Sequence, residues 1–469
     1  MKKSNTKLAC SMRKLNGAVV AASLLGLSAC GGGGSGIEGG IFAMTNGFNP
    51  ADQVGASADA EDNRELVNQI VSFQRMRDGS LVEVGVVNTG GLGENIRNSG
   101  ANPLASQDPL IVSEDEQFVF AVNTGSETIS SFFINDDMTL EARSLNMSTQ
   151  GSSFAENPVS LTVRGDVLYV ANTGIFIDGN ETVPNDRNRI NSSIIGFNIL
   201  DDGSLLPLAN SEVTDDNLAA NVGSIEFSED GRSLYITERR TNNIVTVSLD
   251  ENGVPERNAS GRAVTETITS NTPQPFGTDI VVTSTGTEVL LLSEGNNGIA
   301  GLSAASSYVI NAEDGSLASA SASNGLPTDP LITQFTFGCW IESVVAPNGN
   351  IYAYVANTPD GTISAYSVTD SGSLNRIFPV SSAPVPAEDS TADGSAAAGD
   401  VGGAGVLDTE ITFPYLYQVV SVGDGADAAN NARIAVFEIV DGGDLEPMFE
   451  LNQENEAFRQ GMFVGIAGF

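Results

Sequence analysis

From Ile41 onward the apolar residues come in short alternating runs, and each run stops at a cluster of Gly, Asp or Asn. FVFAVNTG (118–125), VLYVANTG (167–174) and YAYVANTP (352–359) each read as a strand with one buried face. A second strand of type TISSFFI or TISAYSV follows, and then turns such as RDGSL, DDGSL and EDGSL. Asp-Gly and Asn-Gly tolerate the positive φ that tight hairpins require. The pattern predicts strands almost throughout and no long helix.

The unit recurs. IFAMTN with QIVSFQRMRDGSL makes the first copy and FVFAVNTGSETISSFFI the second. SLTVRGDVLYVANTG with SIIGFNILDDGSL, SIEFSEDGRSLYITERRTNNIVTVSL and DIVVTSTGTEVLLLSEG with SSYVINAEDGSL follow. VVAPNGNIYAYVANTPDGTISAYSV and YLYQVVSVGDG with ARIAVFEIVDGGDL complete seven. Roughly sixty residues per copy exceed a minimal propeller blade and leave room for insertions. Radial repetition protects strand edges by closing a ring, so residues 41–469 are expected to form one all-β, seven-bladed propeller of four-stranded blades. The segment GMFVGIAGF reads as a last strand that returns to complete a blade and latch the circle.

The first residues are different. MKKSNTKLACSMRKLNG is basic, AVVAASLLGLSA is apolar and too short to span a bilayer, and LSAC ends at Cys30, which together resemble a bacterial lipoprotein signal over residues 1–29. That resemblance implies acylation of Cys30, a Gly-rich tether over 30–40, and anchoring by lipid at the outer membrane of a bacterial cell envelope. An ordinary secretory signal is the alternative.

Charge narrows the function. The chain carries 59 acidic against 21 basic residues, a net −38, and all four Lys fall within the first fourteen residues. So acidic a surface repels nucleic acid and anionic lipid. There is no His, which removes histidine base catalysis and histidine metal ligation together. Once Cys30 is acylated, and with Cys10 inside the signal, Cys339 is the one thiol left, so no intramolecular disulfide is expected.

VLYVANTG, FSEDGRSLYITE, TPQPFGTDIVV, GCWIESVVAPNG and the DGSL endings are similar to phrases of the lactonase-type seven-bladed propellers, the group of 6-phosphogluconolactonase-like proteins and carboxymuconate cyclases. The likeness covers nearly all of the chain from Ile41. It implies a lactone-opening activity. Members of that family carry Pro-His-Ser at the start of inner strands, where this chain reads Pro158-Val159-Ser160, Val222-Gly223-Ser224, Gly277-Thr278-Asp279 and Trp340-Ile341-Glu342. Any step that depends on the family's histidine is absent.

Candidate site residues follow from the blade pattern. The long insertions (47–67, 90–108, 174–192, 294–306, 382–408 and 423–432) all fall in loops of one face, the usual way to build a recognition surface on a rigid scaffold. Strand ends on that face carry Asn46, Asn123, Asn172 and Asn357, which either contact a ligand or cap their own turns. Glu238 and Glu294 replace Asn there, so they are candidate catalytic or cation-binding carboxylates, with Arg239 as charge stabiliser and Arg240 beside it. A salt bridge between these groups is the plain alternative. Aligning inner strands by their following turns places Ser160, Ser224, Asp279 and Glu342 at equivalent positions around the channel mouth, with Trp340 either packing or stacking on a sugar. The acidic stretches 178–188 and 391–408 are candidates for Ca²⁺ or another divalent cation, although neither has EF-hand spacing and no cofactor is required. Two functions fit: hydrolysis of a small lactone at the channel mouth, or a non-enzymatic, monomeric propeller that binds a polysaccharide or an envelope protein.

Overall fold

A computed structural model describes residues 36–47, 67–94, 103–151, 157–174, 192–214, 221–299, 301–321, 338–358, 361–377, 405–421, 433–451 and 462–469. The two acidic stretches proposed for Ca²⁺, except 405–408, lie outside these residues, as do the signal, Cys30 and most of the long insertions. Among the described residues no helix is long and apolar enough to cross a membrane.

Seven four-stranded antiparallel sheets make up the body from Ile37 to Phe469. Blade 2 runs Leu110–Val112, Phe118–Asn123, Thr128–Ile134 and Leu140–Ser148 from its inner to its outer strand. Blades 3 to 7 repeat that order from inner strands Pro158–Arg164, Val222–Phe227, Pro275–Val282, Gly338–Val345 and Gly405–Thr412. Blade 1 alone mixes both parts of the chain. Its inner strand is Met462–Gly468, antiparallel to Ile37–Asn46, with Val67–Met76 and Leu81–Leu92 outside. GMFVGIAGF is therefore the expected latch. Successive inner strands pack side by side from blade to blade and close the ring.

The repeated phrases are explained by what joins the blades. In the second strands of blades 3, 4, 6 and 7 the hydroxyls of Tyr169, Tyr235, Tyr354 and Tyr417 donate to the carbonyls of Gly253, Gly315, Gly443 and Gly79 at 2.7, 3.0, 3.0 and 3.1 Å. Each acceptor is the glycine of an Asp/Gly or Asn/Gly turn in the next blade. That glycine has to adopt positive φ, +82° at Gly443 and +79° at Gly79, and an added Cβ would run into the rings of Tyr352 and Tyr415. Aromatic strand and glycine turn thus recur together because each is half of one contact between blades. The apolar side chains between them are buried in four clusters, of which one is much the largest.

Candidate functional site

Along the inner strands exposure rises from one end of the channel to the other. Gly338–Val345 begins with four buried residues and ends exposed at Val345, and Pro275–Val282 follows the same course. The closed end is the one where the inner strands begin. It is closed by Leu104–Asp108, a segment that leads into blade 2 with left-handed backbone at Ala105 and Asp108.

Gln107 reaches across the channel. Its backbone N–H donates to the Gly223 carbonyl of blade 4 at 2.9 Å. Its Nε2 donates to the carbonyls of Thr278 at 2.8 Å and Ile341 at 3.0 Å, and its Oε1 accepts from the Ile341 N–H at 3.0 Å. Beside it the Trp340 indole donates to the Ser106 carbonyl and meets Phe276 edge-on, and the guanidinium of Arg239 lies 5.3 Å from the Phe276 ring centre. Blades 2, 4, 5 and 6 are thus tied at one hub.

Past the hub the lumen is lined by carboxylates. Asp108, Glu226, Asp279, Glu342, Asp408 and Glu410 come from blades 2, 4, 5, 6 and 7, and all but Asp408 keep partial exposure to the lumen. Several have a structural task, because inner strands splay like spokes and cannot pair their backbones directly. Asp279 Oδ2 accepts the Ser343 N–H at 2.6 Å, Asp408 Oδ2 that of Ile466 at 3.2 Å and Glu410 Oε2 that of Gly468 at 3.0 Å. Thr162 and Glu226 make the equivalent clasp between blades 3 and 4.

Burial disfavours the ionised forms, and crowding adds to it. Asp279 is raised to about 6 by burial, with its hydrogen bonds from Ser343 pulling the other way. Glu410 is raised to about 8, mainly by burial. Glu342 is pushed well above the usual carboxylate range by burial and then by the charges of Asp279, Asp108, Glu410 and Asp408. Burial also dominates at Asp108, Glu226 and Asp408, with neighbouring ring charges next. Burial and mutual repulsion thus favour the protonated form across the set, and the shift at Asp279 is the one most offset by hydrogen bonds.

The residues singled out in the sequence fall in different places. Asp279 and Glu342 line the chamber. Arg239 and Trp340 belong to the closed end. Arg240 is exposed, and the rest are buried within blades or in the seams between them. Asn123 and Asn357 are fully buried and pin the next strand in the same way, donating to Thr128 and Ser130, and to Thr362 and Ser364. Asn172 donates to Ser193 and the Thr149 carbonyl. Glu238 and Glu294 fill the same post with reversed polarity. Glu238 accepts from Thr241 and Asn243, while Glu294 accepts from the Thr272 N–H and Ser306, and burial raises Glu294 to about 7.

The turn-based alignment is corrected by the strand pairing. Glu342 lies opposite Tyr354 and Glu226 opposite Tyr235, whereas the Ser224 N–H meets Thr237, two residues nearer the closed end. Ser160 faces Ala171, two residues nearer the closed end than Thr162. Ser160 and Ser224 are wholly buried, their hydroxyls bonded to Ile225 and to Phe276 and Thr278. Glu226, Asp408, Glu410, Asp108 and Gln107 escaped the sequence reading. Counting inner strands from the end of their partner strand would have placed Glu226 level with Asp279 and Glu342.

No protein-family model matches the chain, and neither does any curated protein sequence. Solved structures do. A putative 6-phosphogluconolactonase from Bacteroides uniformis aligns over 92% of this chain and 99% of its own with a TM-score of 0.54 at 15% identity. The one from Bacteroides fragilis gives 0.52 at 16% identity over 92% and 98%. The fold is that of the lactonase-type propellers. The periplasmic gluconolactonase of Pseudomonas aeruginosa adds a third likeness, with a TM-score of 0.52 at 15% identity over 91% and 99%. At such identities the likeness carries the fold and leaves the reaction to the residues present.

Proposed function

We propose that the chain opens a small lactone ring in its carboxylate-lined chamber, as a monomer held at the cell envelope through Cys30. The observation that carries this reading is the pairing of Asp279, whose affinity for a proton is only moderately raised, with Glu342, whose proton is held far more tightly partly because Asp279 is charged. Environments that push neighbouring carboxyl groups apart assign base and acid without histidine. In this reading Asp279 takes the proton of a water as that water attacks the lactone carbonyl. Glu342 then delivers its proton to the ring oxygen as the acyl C–O bond breaks, leaving the hydroxy acid. The gluconolactonase and 6-phosphogluconolactonase descriptions of the fold's relatives supply the reaction class.

The purified chain assayed against a panel of sugar lactones is expected to show turnover above buffer. Asp279→Asn and Glu342→Gln should each lower kcat by about a hundredfold, the usual size of a general acid or base contribution. Asn172→Ala, remote from the lumen, should leave it within a few fold. Absence of turnover with or without divalent cations would reject the hydrolase.

One observation favours the alternative of a binding propeller for a polysaccharide or envelope protein. Arg239, the group expected to stabilise an oxyanion, packs against Phe276 at the closed end and not in the chamber. The same panel decides between the two.

A further inference from the structure

The turns that follow the inner strands lie at the open mouth, and they divide it into two arcs. On blades 2 to 4 they read SEDEQ (113–117), RGD (164–166) and SEDGR (228–232), and Arg164 pairs with Glu114 at 2.7 Å and with Glu229 at 2.8 Å. On blades 5 to 7 they read TSTGT (283–287), APNGN (346–350) and FP (413–414), without one charge in a chain of 59 acids. Val282 and Val345 immediately precede the first two of these uncharged turns and Phe413 opens the third, and they are 39%, 53% and 37% exposed. Val282 and Val345 hold equivalent posts, each the last residue of its inner strand, where blade 4 has Phe227 buried. Val82, Val86, Leu145, Leu206 and Met448 are exposed as well, but they are scattered over four outer strands.

The chain enters the ring on this same face. Ile41 pairs with Gly468 near the end of the last inner strand, and Ile37 lies further out, opposite Met76 and its turn to Ser80. Cys30 precedes Ile37 by seven residues, which reach at most about 25 Å when fully extended. The ten residues of Ile37–Asn46 themselves cover about 33 Å from the open face to the loop-rich one. A lipid on Cys30 is therefore on too short a lead to bring the loop-rich face to a bilayer. Blade 1, where that lead starts, adjoins blade 7 of the uncharged arc.

We infer that the arc of blades 5 to 7 docks on the headgroup layer of a lipid bilayer of no net charge, with Val282, Val345 and Phe413 entering its edge. Apolar side chains beside turns rich in hydroxyl and amide groups suit that layer, which accommodates both. Stable attachment takes two signals, and the arc supplies the second beside the acyl chain. The charged arc of blades 2 to 4 stays in water, as its ion pairs and excess acid favour. This deepens the reading above and rests on it for the acyl group at Cys30. It adds that the chamber opens towards the lipid.

The test places the full chain, acylated in a bacterial host, on phosphatidylcholine vesicles. With Cys30 acylated and Cys339 buried, a dye coupled to Pro347→Cys or to Asp166→Cys reports one exposed turn at a time. Nitroxide-bearing lipid should quench the dye at 347 several-fold more than the dye at 166. Val282→Asp with Val345→Asp changes two exposed positions and leaves the core intact, so thermal melts should show the variant folded. It should bring the quenching at 347 down to the level of 166 while the chain stays on the vesicle. Equal quenching at the two positions without those changes would mean that the propeller swings freely on its lead, and would overturn the inference. So would a dimer in sedimentation that shields 347 from lipid and is lost with Val345→Asp, since it would assign the arc to a second copy. A chain that never reaches the vesicle refutes the anchor at Cys30 and this inference with it. A chain that docks through the arc but opens no lactone refutes the hydrolase alone.

Discussion

Asparagine and glutamate occupy one post in different blades, and the comparison isolates what a charge does there. Asn357 donates to two hydroxyls and is neutral, while Glu294 has to accept from Ser306 and Thr272 and is driven up to about 7 by its burial. Glu294→Gln keeps an acceptor for the Thr272 N–H and turns the Ser306 contact into the Asn-like one. At pH 8 the native glutamate is ionised at a cost that the amide avoids. The substitution should stabilise the chain on the order of 2 kcal/mol at pH 8 and make little difference at pH 5, read from denaturant melts at both pH values. The sequence marked Glu294 as exceptional, and it is. What it could not show is that the exception lies inside the blade, because a strand-end residue's direction depends on partners far along the chain.

The blade is legible from sequence because its contacts repeat at fixed spacing. Tyrosine in the second strand and glycine in the following turn appear as separate motifs, and the structure shows them to be one clasp. Tyr354→Phe should cost about 1 kcal/mol, one buried hydrogen bond with the ring packing intact. Gly443→Ala should cost at least about 2 kcal/mol, since it combines a positive φ with a collision at Tyr352, and chemical denaturation of the two variants checks the order. The inner strands were harder to read. From the residue that closes the turn to the end of the second strand, blade 6 runs from Asn350 to Asn357 and blade 4 only from Ser233 to Glu238. Counting from the turn therefore brought Ser224 level with Glu342 and hid Glu226. Gln107 had no signal at all, as its partners lie 171 and 234 residues away.

At the scale of the molecule, the buried acids set the response to pH. Asp279, Glu294 and Glu410, at about 6, 7 and 8, hold protons more tightly folded than unfolded. The native state therefore binds more protons than the unfolded chain above the ordinary carboxylate range, and stability falls as pH rises through these values. Turn acids such as Asp78 and Asp137, held low by hydrogen bonds from Ser80 and Thr139, act oppositely in stronger acid. The melting temperature should peak near about pH 5 and decline towards pH 8. A flat or rising profile over that interval would show that something other than protons neutralises the chamber.

The latch has a consequence for how the protein comes into being. Blade 1 contains the earliest strands of the ring, but its inner strand is Met462–Gly468, from which Asp408 and Glu410 each accept a backbone N–H. A nascent chain can therefore assemble blades 2 to 7 as they are synthesised and still be an open arc, with the inner edge of Ile37–Asn46 lacking its partner strand. Contacts of such long sequence separation form late and slowly. Until the last strand arrives, the circle has no latch to close it, so closure of the ring is expected to be the last step of folding.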